Sequence, residues 1–542
     1  MWPRFSHFRR RAWREVAPSI FSLTMCVWAA CSVGGGSDGG SETGPVTPFA
    51  FIETTSVPIG AVGQAYNQPL TATGGTGSYN WGLAPGSGAL PPGLSLSASG
   101  NLAGIPTTQG RFPVKVQAVS GGQSDTQDLI ISVRPRTERV SVTSNGTQSN
   151  SVSFNPAISA DGRFIVFGAR DAANLVIGDT NGMDDYFVHD RQTGETTRVS
   201  VDSMGNQGTN VGIIGNVLEG FRVAISGDGR FVAFNHIAPN LVAGDVPGSL
   251  DVFVRDRQIG QTSLVSVDSA GMPLSTTNFN PTISADGRFV AFTALLGTVD
   301  HIEVKDRQSG ALIQASVDSF GNPGNGSSFN PTISTDGRYV AFQSAATNLV
   351  NGDTNNVVDV FVYDSQTVQT TRISVDSNGA QANNASFNPA ISADGRIVAF
   401  ESAATNLVSG DTNILRDIFV HDRQTGQTTR VSVDNLGAQA TLGESFNPSI
   451  TADGRFVAFE SNATNLVSGD TNGRRDIIIH DRQTSQANRI SVDNSGLQAN
   501  RESSNAVISA DGRFVAFGSA ATNLVSGDIN GDSPDIYVGA RQ

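Results

Sequence analysis

Cysteine and charge are both scarce in this chain of 542 residues, which has two cysteines and only 15% charged residues. A structure held together by a framework of disulfides is therefore excluded. Long segments with a helical period of apolar residues are also missing, which argues against helical domains. What is present is 60 glycines and short alternating runs rich in Val, Ser, Thr and Asn. This composition is typical of many short strands joined by tight turns, so the sequence predicts an all-β protein.

Positive charge is in deficit, since 35 Lys and Arg stand against 49 Asp and Glu for a formal net charge of −14. A protein that binds nucleic acid needs a basic face. Here the Arg residues are scattered singly, often beside Asp as in "HDRQTG". We expect no nucleic-acid partner and interpret the surface as a solvated acidic one.

The first thirty residues have the pattern of an export signal, in which five Arg are followed by an apolar stretch too short to span a bilayer. We predict a signal peptide over 1–30. The segment "VWAAC", ending at Cys31, resembles the bacterial lipobox, whose Cys is acylated after cleavage; Trp28 departs from that pattern, and ordinary cleavage after Ala29 is the alternative. Because Cys26 would be removed, Cys31 would be the lone thiol of an exported protein, and lipidation accounts for it. The Gly/Ser-rich residues 31–47 are predicted to be a flexible tether.

A small β domain is predicted over residues 48–134, where alternating apolar runs are punctuated by Gly and Pro. The motifs "GGTGSYNW", "LPPGLSL", "NLAGIP" and "GRFPVKVQA" occur there in order. They resemble the immunoglobulin-like or cadherin-like modules of bacterial surface proteins, which implies a spacer or adhesion module. The residues expected to alternate into its core are Trp81, Leu94, Leu96, Leu102, Phe112, Val114 and Val116.

The strongest signal is a repeat of about 58 residues with the core "FNPAISADGRFVAF". The first six copies divide into four strands and the seventh into three, with an Asp-Gly hairpin turn between the first and second strands. Four strands per repeat predict the blade of a β-propeller. The seven copies of "ISADGRFVAF" begin at Ile158, Ile225, Ile283, Ile333, Ile391, Ile450 and Ile508.

The two ends of the repeat region complement each other, because the seventh repeat lacks a fourth strand and "TERVSVT" before the first repeat is a strand without a blade. We therefore predict a seven-bladed β-propeller over 137–542, closed by a strand at 138–143, after a small N-terminal immunoglobulin-like β-sandwich. The segments "ISADGRFVAF" and "DIFVHDRQTG" resemble the propeller repeats of TolB-like and WD-repeat-like bacterial proteins.

No catalytic motif emerges from the sequence. His189, His421 and His480 occupy one repeat position, and equivalent positions in a ring point apart, so an exposed structural role is expected for them. Glu401 and Glu460 are likewise copies of one position, whereas glycoside hydrolysis needs two carboxylates at one bond. No nucleophile elbow or phosphate-binding loop is present. We expect a protein that is not an enzyme.

One spacing indicates ion chemistry. The loops "GDTNGMDD", "GDTNNVVD", "GDTNILRD" and "GDTNGRRD" place oxygens at positions one, three and seven, like the opening of a calcium loop. Calcium is the candidate cofactor, although the later Glu of such loops is missing and "GDVPGSLD" breaks the pattern; the favoured alternative is that these side chains cap their own turn. The candidate ligands are Asp179, Asn181, Asp185, Asp353, Asn355, Asp359, Asp411, Asn413, Asp417, Asp470, Asn472 and Asp476.

A partner-binding surface is predicted at the second and third repeats. Entry to the second repeat is about eight residues longer than elsewhere, and the third repeat omits the "NLVSGDTN" loop, so a raised loop would stand beside a notch. A partner could bury the added apolar residues, or the segment could fold into the notch. The residues proposed for binding are Ile213, Ile214, Val217, Leu218 and Phe221.

Together these features predict a non-catalytic scaffold of the cell envelope, exported and held by a lipid anchor, that displays a monomeric propeller to a protein or saccharide ligand. Without acylation the protein would be periplasmic or secreted. Two alternatives are a hydrolase or lyase that uses carboxylates of the central channel, and a calcium-stabilised architectural protein.

Overall fold

The computed structural model describes residues 51–209, 222–274 and 276–541, and all regular secondary structure in them is β-strand. This agrees with the predicted all-β class. None of these residues belongs to a helix long and apolar enough to cross a membrane.

The first nine strands build the sandwich. One sheet has the order β2-β9-β8-β5, a second has the order β3-β7-β6, and β1 pairs with β4. Trp81, Leu102, Val114 and Val116 are buried in the core between the sheets, and Leu94, Leu96 and Phe112 pack against it, as the alternation predicted. The strands are β1 (Phe51–Ile52), β2 (Gly60–Ala61), β3 (Tyr66–Pro69), β4 (Ala72–Thr73), β5 (Asn80–Leu83), β6 (Leu94–Leu96), β7 (Asn101–Gly104), β8 (Gly110–Ser120) and β9 (Gln123–Arg134).

The repeat region forms seven four-stranded antiparallel sheets within the described residues, and we call them blades 1 to 7. The innermost strand of each blade contacts the innermost strand of the next, and that of blade 7 contacts that of blade 1, so the sheets form a ring. The first three blades are β11 (Ser153–Ile158), β12 (Phe164–Ala169), β13 (Asp185–Asp190) and β14 (Thr196–Arg198); β15 (Ala224–Ile225), β16 (Phe231–His236), β17 (Asp251–Asp256) and β18 (Gln261–Leu264); and β19 (Asn278–Ile283), β20 (Phe289–Leu296), β21 (Val299–Asp306) and β22 (Leu312–Gln314).

Blades 4 to 6 repeat the same pattern with almost constant strand lengths. They are β23 (Ser328–Ile333), β24 (Tyr339–Ser344), β25 (Asp359–Asp364) and β26 (Gln369–Arg372); β27 (Ser386–Ile391), β28 (Ile397–Ser402), β29 (Asp417–Asp422) and β30 (Gln427–Arg430); and β31 (Ser445–Ile450), β32 (Phe456–Ser461), β33 (Asp476–Asp481) and β34 (Gln486–Arg489).

Blade 7 is assembled from both ends of the repeat region. It contains β35 (Ser503–Ile508), β36 (Phe514–Ser519) and β37 (Asp535–Ala540), and its fourth strand is β10 (Thr137–Arg139), which pairs antiparallel with β37. The sequence predicted a closing strand over 138–143; β10 begins one residue earlier and ends at Arg139, because the chain then turns into the Val142↔Gln148 bridge.

The hairpin turn between the first two strands explains the repeated "SADGR". In blade 1, the Ser159 hydroxyl donates to the Asp161 carboxylate over 2.7 Å, which in turn accepts the main-chain N–H of Arg163. Gly162 has φ +73°, and a β-carbon there would lie 2.5 Å from the ring of Phe514. Glycine is required here because the backbone of Gly162 is in the left-handed region and lies against the ring of Phe514 in the preceding blade.

The arginine that follows the third strand stacks on an aromatic ring of the preceding blade in blades 1, 2, 3, 5 and 7. Arg230 forms a bidentate ion pair with Asp256 inside blade 2. The next residue, Arg257, donates to the Gly229 carbonyl and stacks its guanidinium 4.4 Å from the ring centre of Phe164 in blade 1. The scattered arginines of the sequence are therefore structural clamps between blades.

Candidate functional site

The axis of the propeller contains a cavity of about 370 Å³ lined by the innermost strands. Asn155, Asn447 and Asn505, which occupy the Asn position of the "FNP" segment, line this cavity, and Asn330 and Asn388 are joined to Asn447 by hydrogen bonds. The backbone of these Asn residues is left-handed, with φ between +46° and +55°, because each innermost strand bulges here. Asn tolerates this conformation better than most residues.

The Asn side chains form a belt of hydrogen bonds that runs from blade to blade. Asn330 Nδ2 donates to Asn388 Oδ1 over 2.8 Å, and Asn388 Nδ2 donates to Asn447 Oδ1 over 2.9 Å. On the other side of the ring, Asn505 Nδ2 donates to Asn155 Oδ1 over 3.1 Å. The belt presents a ring of amides to the cavity.

Blade 2 departs from this belt, because "FRVAIS" puts Arg222 where the other blades have Asn. Its Nη2 lies 3.3 Å from Asn388 Oδ1 in blade 5, on the opposite side of the ring. Burial lowers the pKa of the Arg222 guanidinium, and the negative charge of Glu401 partly opposes that shift. A cation thus spans the cavity.

Two glutamates flank the belt at the end where the second strands meet the long loops. Glu401 accepts from Arg416 over 3.2 Å and from the main-chain N–H of Asn447 over 2.7 Å. Glu460 accepts from Arg475 over 3.0 Å and from Asn447 Nδ2 over 2.8 Å. Burial raises the pKa of Glu401. The two carboxyl groups belong to one hydrogen-bonded network, and each is held by an arginine.

Aromatic rings surround the same end. The Phe of the "FNP" segment is half-buried in four blades, as Phe279, Phe329, Phe387 and Phe446. The rings of Phe279 and Phe329 lie 6.5 Å apart. Arg416 lies 5.3 Å from the ring centre of Phe387, and Arg475 lies 5.5 Å from that of Phe446. The cavity mouth therefore combines amides, Arg–Glu pairs and aromatic faces.

The Asp-Thr-Asn loops lie away from this cavity, and the structure brings each proposed ligand set together around an arginine. In blade 4, Arg372 Nη1 lies 3.3 Å from both Asp353 Oδ1 and Asp359 Oδ2. Asn355 donates to Asp359 over 3.0 Å and caps the main-chain N–H of Val357. The same arrangement joins Asp179, Asn181 and Asp185 to Arg198; Asp411, Asn413 and Asp417 to Arg430; and Asp470, Asn472 and Asp476 to Arg489.

In these loops a guanidinium is the positive partner of the carboxylates that the sequence offered as candidate calcium ligands. The described ranges contain no group of three or more His, Cys, Asp or Glu placed to hold a metal ion. The sequence contained the signal, since each of these loops is followed by a fourth strand ending in Arg, but the pairing of strands was needed to connect the two.

Of the remaining sequence predictions, the lipidation site and the partner-binding residues lie outside the described residues, and the notch in blade 3 lies within them. Cys31 and the five apolar residues proposed for partner binding, Ile213, Ile214, Val217, Leu218 and Phe221, lie outside the described residues. The neighbouring notch is present, because blade 3 joins β20 to β21 by a tight turn at Gly297 in place of the long loop.

The histidines differ from expectation. His189, His421 and His480 are buried, with at most 6% of each exposed, so the prediction of exposed side chains was wrong. Each lies on a third strand and is paired in the ladder with a residue of the fourth strand, and His189 Nδ1 lies 2.9 Å from Thr196 Oγ1. Burial lowers the pKa of His189 to about 4. They are neutral core residues and lie in different blades.

Comparison with known proteins identifies the smaller domain. Residues 48–134 match the family described as "Putative Ig domain". No curated protein matches the chain. Similar solved structures include a TolB described as putative from Agrobacterium tumefaciens, with 15% identity over 52% of this chain and 80% of that one, at a TM-score of 0.33.

Two further similar structures are an oligogalacturonate lyase in complex with manganese and the WD40 repeats of RRP9. The lyase is 12% identical over 75% of this chain and 93% of its own, with a TM-score of 0.45. The RRP9 repeats are 8% identical over 75% and 98%, with a TM-score of 0.39. The chain is thus an all-β protein that joins an immunoglobulin-like module to a β-propeller.

Proposed function

We propose that this protein is a non-catalytic binding protein of the bacterial cell envelope whose axial cavity mouth takes a saccharide. The observation that carries the proposal is the combination at that mouth of the Asn belt, the Arg416–Glu401 and Arg475–Glu460 pairs and the ring of half-buried Phe side chains. It refines the protein or saccharide ligand expected from the sequence.

The chemistry of the mouth fits a ligand rich in hydroxyl groups. Amides and guanidinium groups can exchange hydrogen bonds with sugar hydroxyls, and aromatic faces pack against the apolar C–H faces of a sugar ring. The carboxyl groups of Glu401 and Glu460 are at most 1% exposed and serve to hold Arg416 and Arg475 in place. Both glutamates already accept from an Arg and from a main-chain N–H. They are therefore better suited to accept hydrogen bonds in a fixed geometry than to cycle a proton.

Arg222 extends across the cavity from blade 2 toward Asn388 of blade 5 and makes the cavity asymmetric. The other described innermost strands contribute an Asn at this position, so this one cation makes an otherwise repetitive ring asymmetric. A ligand entering the mouth would meet the guanidinium from one side only, which favours a saccharide with a carboxylate or other anionic substituent.

Display at the cell envelope follows from the N-terminal sequence. Removal of 1–30 would leave Cys31 for acylation, and 31–47 would tether the folded domains to the membrane. A single propeller with its sheet edges closed needs no second copy, so a monomer is expected.

Binding should be measured on the mature protein by a glycan array of acidic and neutral saccharides, followed by calorimetric titration of the best oligosaccharide. The double substitution Arg222→Asn with Val223→Pro gives blade 2 the innermost strand of the other blades. We expect it to weaken binding of an acidic saccharide at least about tenfold, since a charged hydrogen bond contributes about 1.5–3 kcal/mol. The matched control is Arg111→Asn, which removes an exposed Arg from strand β8 of the sandwich, away from the cavity lining.

Retained affinity in the double variant would contradict the assignment of the site. Capture of peptides with no saccharide bound would overturn the ligand class. Conversion of a bound saccharide to products would favour the lyase or hydrolase alternative.

A further inference from the structure

Blade 2 has the two loop carboxylates without the arginine that neutralises them elsewhere. Asp245 and Asp251 have the same spacing as Asp353 and Asp359. Leu264 pairs with Phe253 in the ladder, in the register in which Arg372 pairs with Phe361. Five other blades hold a guanidinium between these two carboxylates, through Arg139, Arg198, Arg372, Arg430 and Arg489.

The surroundings of Asp251 do not replace the missing charge. The side chain is 1% exposed, and its Oδ1 accepts from the Ser266 hydroxyl over 2.7 Å and from Asn278 Nδ2 over 3.1 Å. Its Oδ2 is buried without a hydrogen-bond partner. No described Lys or Arg forms an ion pair with Asp245 or Asp251, and residues 210–221 contain no Lys or Arg.

Other positions around the pair changed together with the arginine. In blade 4, Arg372 also donates to Gln381 over 2.8 Å, and Gln381 bridges to Val375. In blade 2 the residue that bridges to Val267 is Pro273, which has no side-chain acceptor for a guanidinium. The carboxyl groups of Asp245 and Asp251 are therefore left without a cationic partner among the described residues, in the place where other blades hold an arginine.

We propose that blade 2 binds a calcium ion between Asp245 and Asp251, where the other blades hold a guanidinium. A hard divalent cation accepts carboxylate oxygens readily, and Asp251 Oδ2 is available to it. Water and nearby neutral oxygens would supply the remaining ligands. A site with only two carboxylates belongs at the weak end of calcium affinities, with a dissociation constant of about 10⁻⁴–10⁻³ M, as extracellular modules show.

The site is independent of the saccharide site, since Asp251 lies on the third strand of blade 2 and does not line the axial cavity. The loops that the sequence offered as calcium candidates contain an arginine, and the loop that breaks their pattern lacks it.

The test uses the mature protein, stripped of metal by a chelator and titrated calorimetrically with CaCl₂. We expect one calcium ion per chain and a melting temperature that rises with calcium concentration. Leu264→Arg should abolish binding by placing a guanidinium between the carboxylates, and should itself raise the melting temperature in chelator. The matched control is Arg372→Leu, which should create a second, similar site in blade 4.

Asp245→Asn provides a second test that does not enlarge a core residue, and it should also abolish calcium binding. Absence of calcium binding to the unmodified protein, or binding that survives in both Leu264→Arg and Asp245→Asn, would overturn the proposal. Stabilisation of Asp245→Asn in chelator without any calcium effect on the unmodified protein would show that the pair shares a proton, which would also overturn it.

Discussion

At the scale of single residues, the departures from the repeat are more informative than the repeat itself. Glu303 is one of them. It pairs with Phe292 in the register in which Phe361 pairs with Phe342 and Phe419 pairs with Phe400, so a carboxyl group stands where other blades have an apolar side chain. Glu303 is 5% exposed, and burial raises its pKa to about 7.

The substitution Glu303→Gln should change the pH dependence of stability. The unfolded carboxyl ionises near pH 4.5, whereas the folded one ionises near 7, so its contribution to stability is present below pH 4.5 and is lost as the pH rises through 7. We expect Glu303→Gln to raise the melting temperature at pH 8 and to change it little at pH 4.5. Thermal melts of both proteins from pH 4.5 to 8 test this. An equal effect at both ends would show that Glu303 does not titrate in this way.

At the scale of elements, closure of the ring depends on the short strand β10. Arg139 lies between Asp528 and Asp535, and the following residue, Val140, is fully buried and donates its N–H to the Ile536 carbonyl. Thr137 also donates its hydroxyl to the Val492 carbonyl of blade 6. This segment therefore supplies ladder bonds, a buried cation and a contact between blades.

Deleting 137–143 should leave blade 7 with three strands and an open edge, because β37 would lose β10 and keep only β36 as a partner. Open edges pair with other chains, so we expect aggregation, measured by size-exclusion chromatography with light scattering. Adding a Thr-Gly turn and a copy of the segment after Gln542 should restore the monomer, since the fourth strand then follows β37 directly. A deletion variant that stays monomeric with an unchanged melting temperature would refute this role of the strand.

At the scale of the whole molecule, the sandwich is docked on the propeller through a change in blade 7. In six blades the Arg of the "DGR" turn pairs with an Asp at the end of the third strand, as Arg338 does with Asp364. In blade 7 that Asp is replaced by Ala540, and Arg513 Nη1 instead donates to the Ile59 carbonyl over 2.8 Å. Ile59 and Ala540 share one buried apolar cluster. The sandwich is therefore held against blades 7 and 1, beyond the spacer role expected from the sequence.

Ala540→Asp should loosen this docking, because the new carboxylate would capture Arg513 as in the other blades and would place a charge against Ile59. The expected result is faster proteolysis of the segment between the sandwich and the propeller and a larger radius of gyration in solution scattering. Ala540→Asn is the control of similar size without the charge. Identical behaviour of the Asp and Asn variants would show that the ion pair does not decide the docking.

The sequence by itself determined the local architecture. A repeat with four alternating strands and an Asp-Gly turn specifies a blade, because hairpin pairing depends on neighbouring residues and a period of two. The unpaired strand at Thr137 specified how the last blade is completed. The core of the sandwich followed from alternation in the same way.

Tertiary structure alone decided which side chains meet. Arg222 reaches Asn388 across the axis, 166 residues along the chain, and no local pattern encodes that contact. Arg372 forms an ion pair with Asp353 because strand β26, which ends at Arg372, lies beside β25, which follows the loop of Asp353. His189 and His421 are buried where their blade faces the preceding one, next to Glu138 of blade 7 and Tyr339 of blade 4 respectively. Charge compensation and burial depend on distances between strands and blades, and only the closed ring determines those distances.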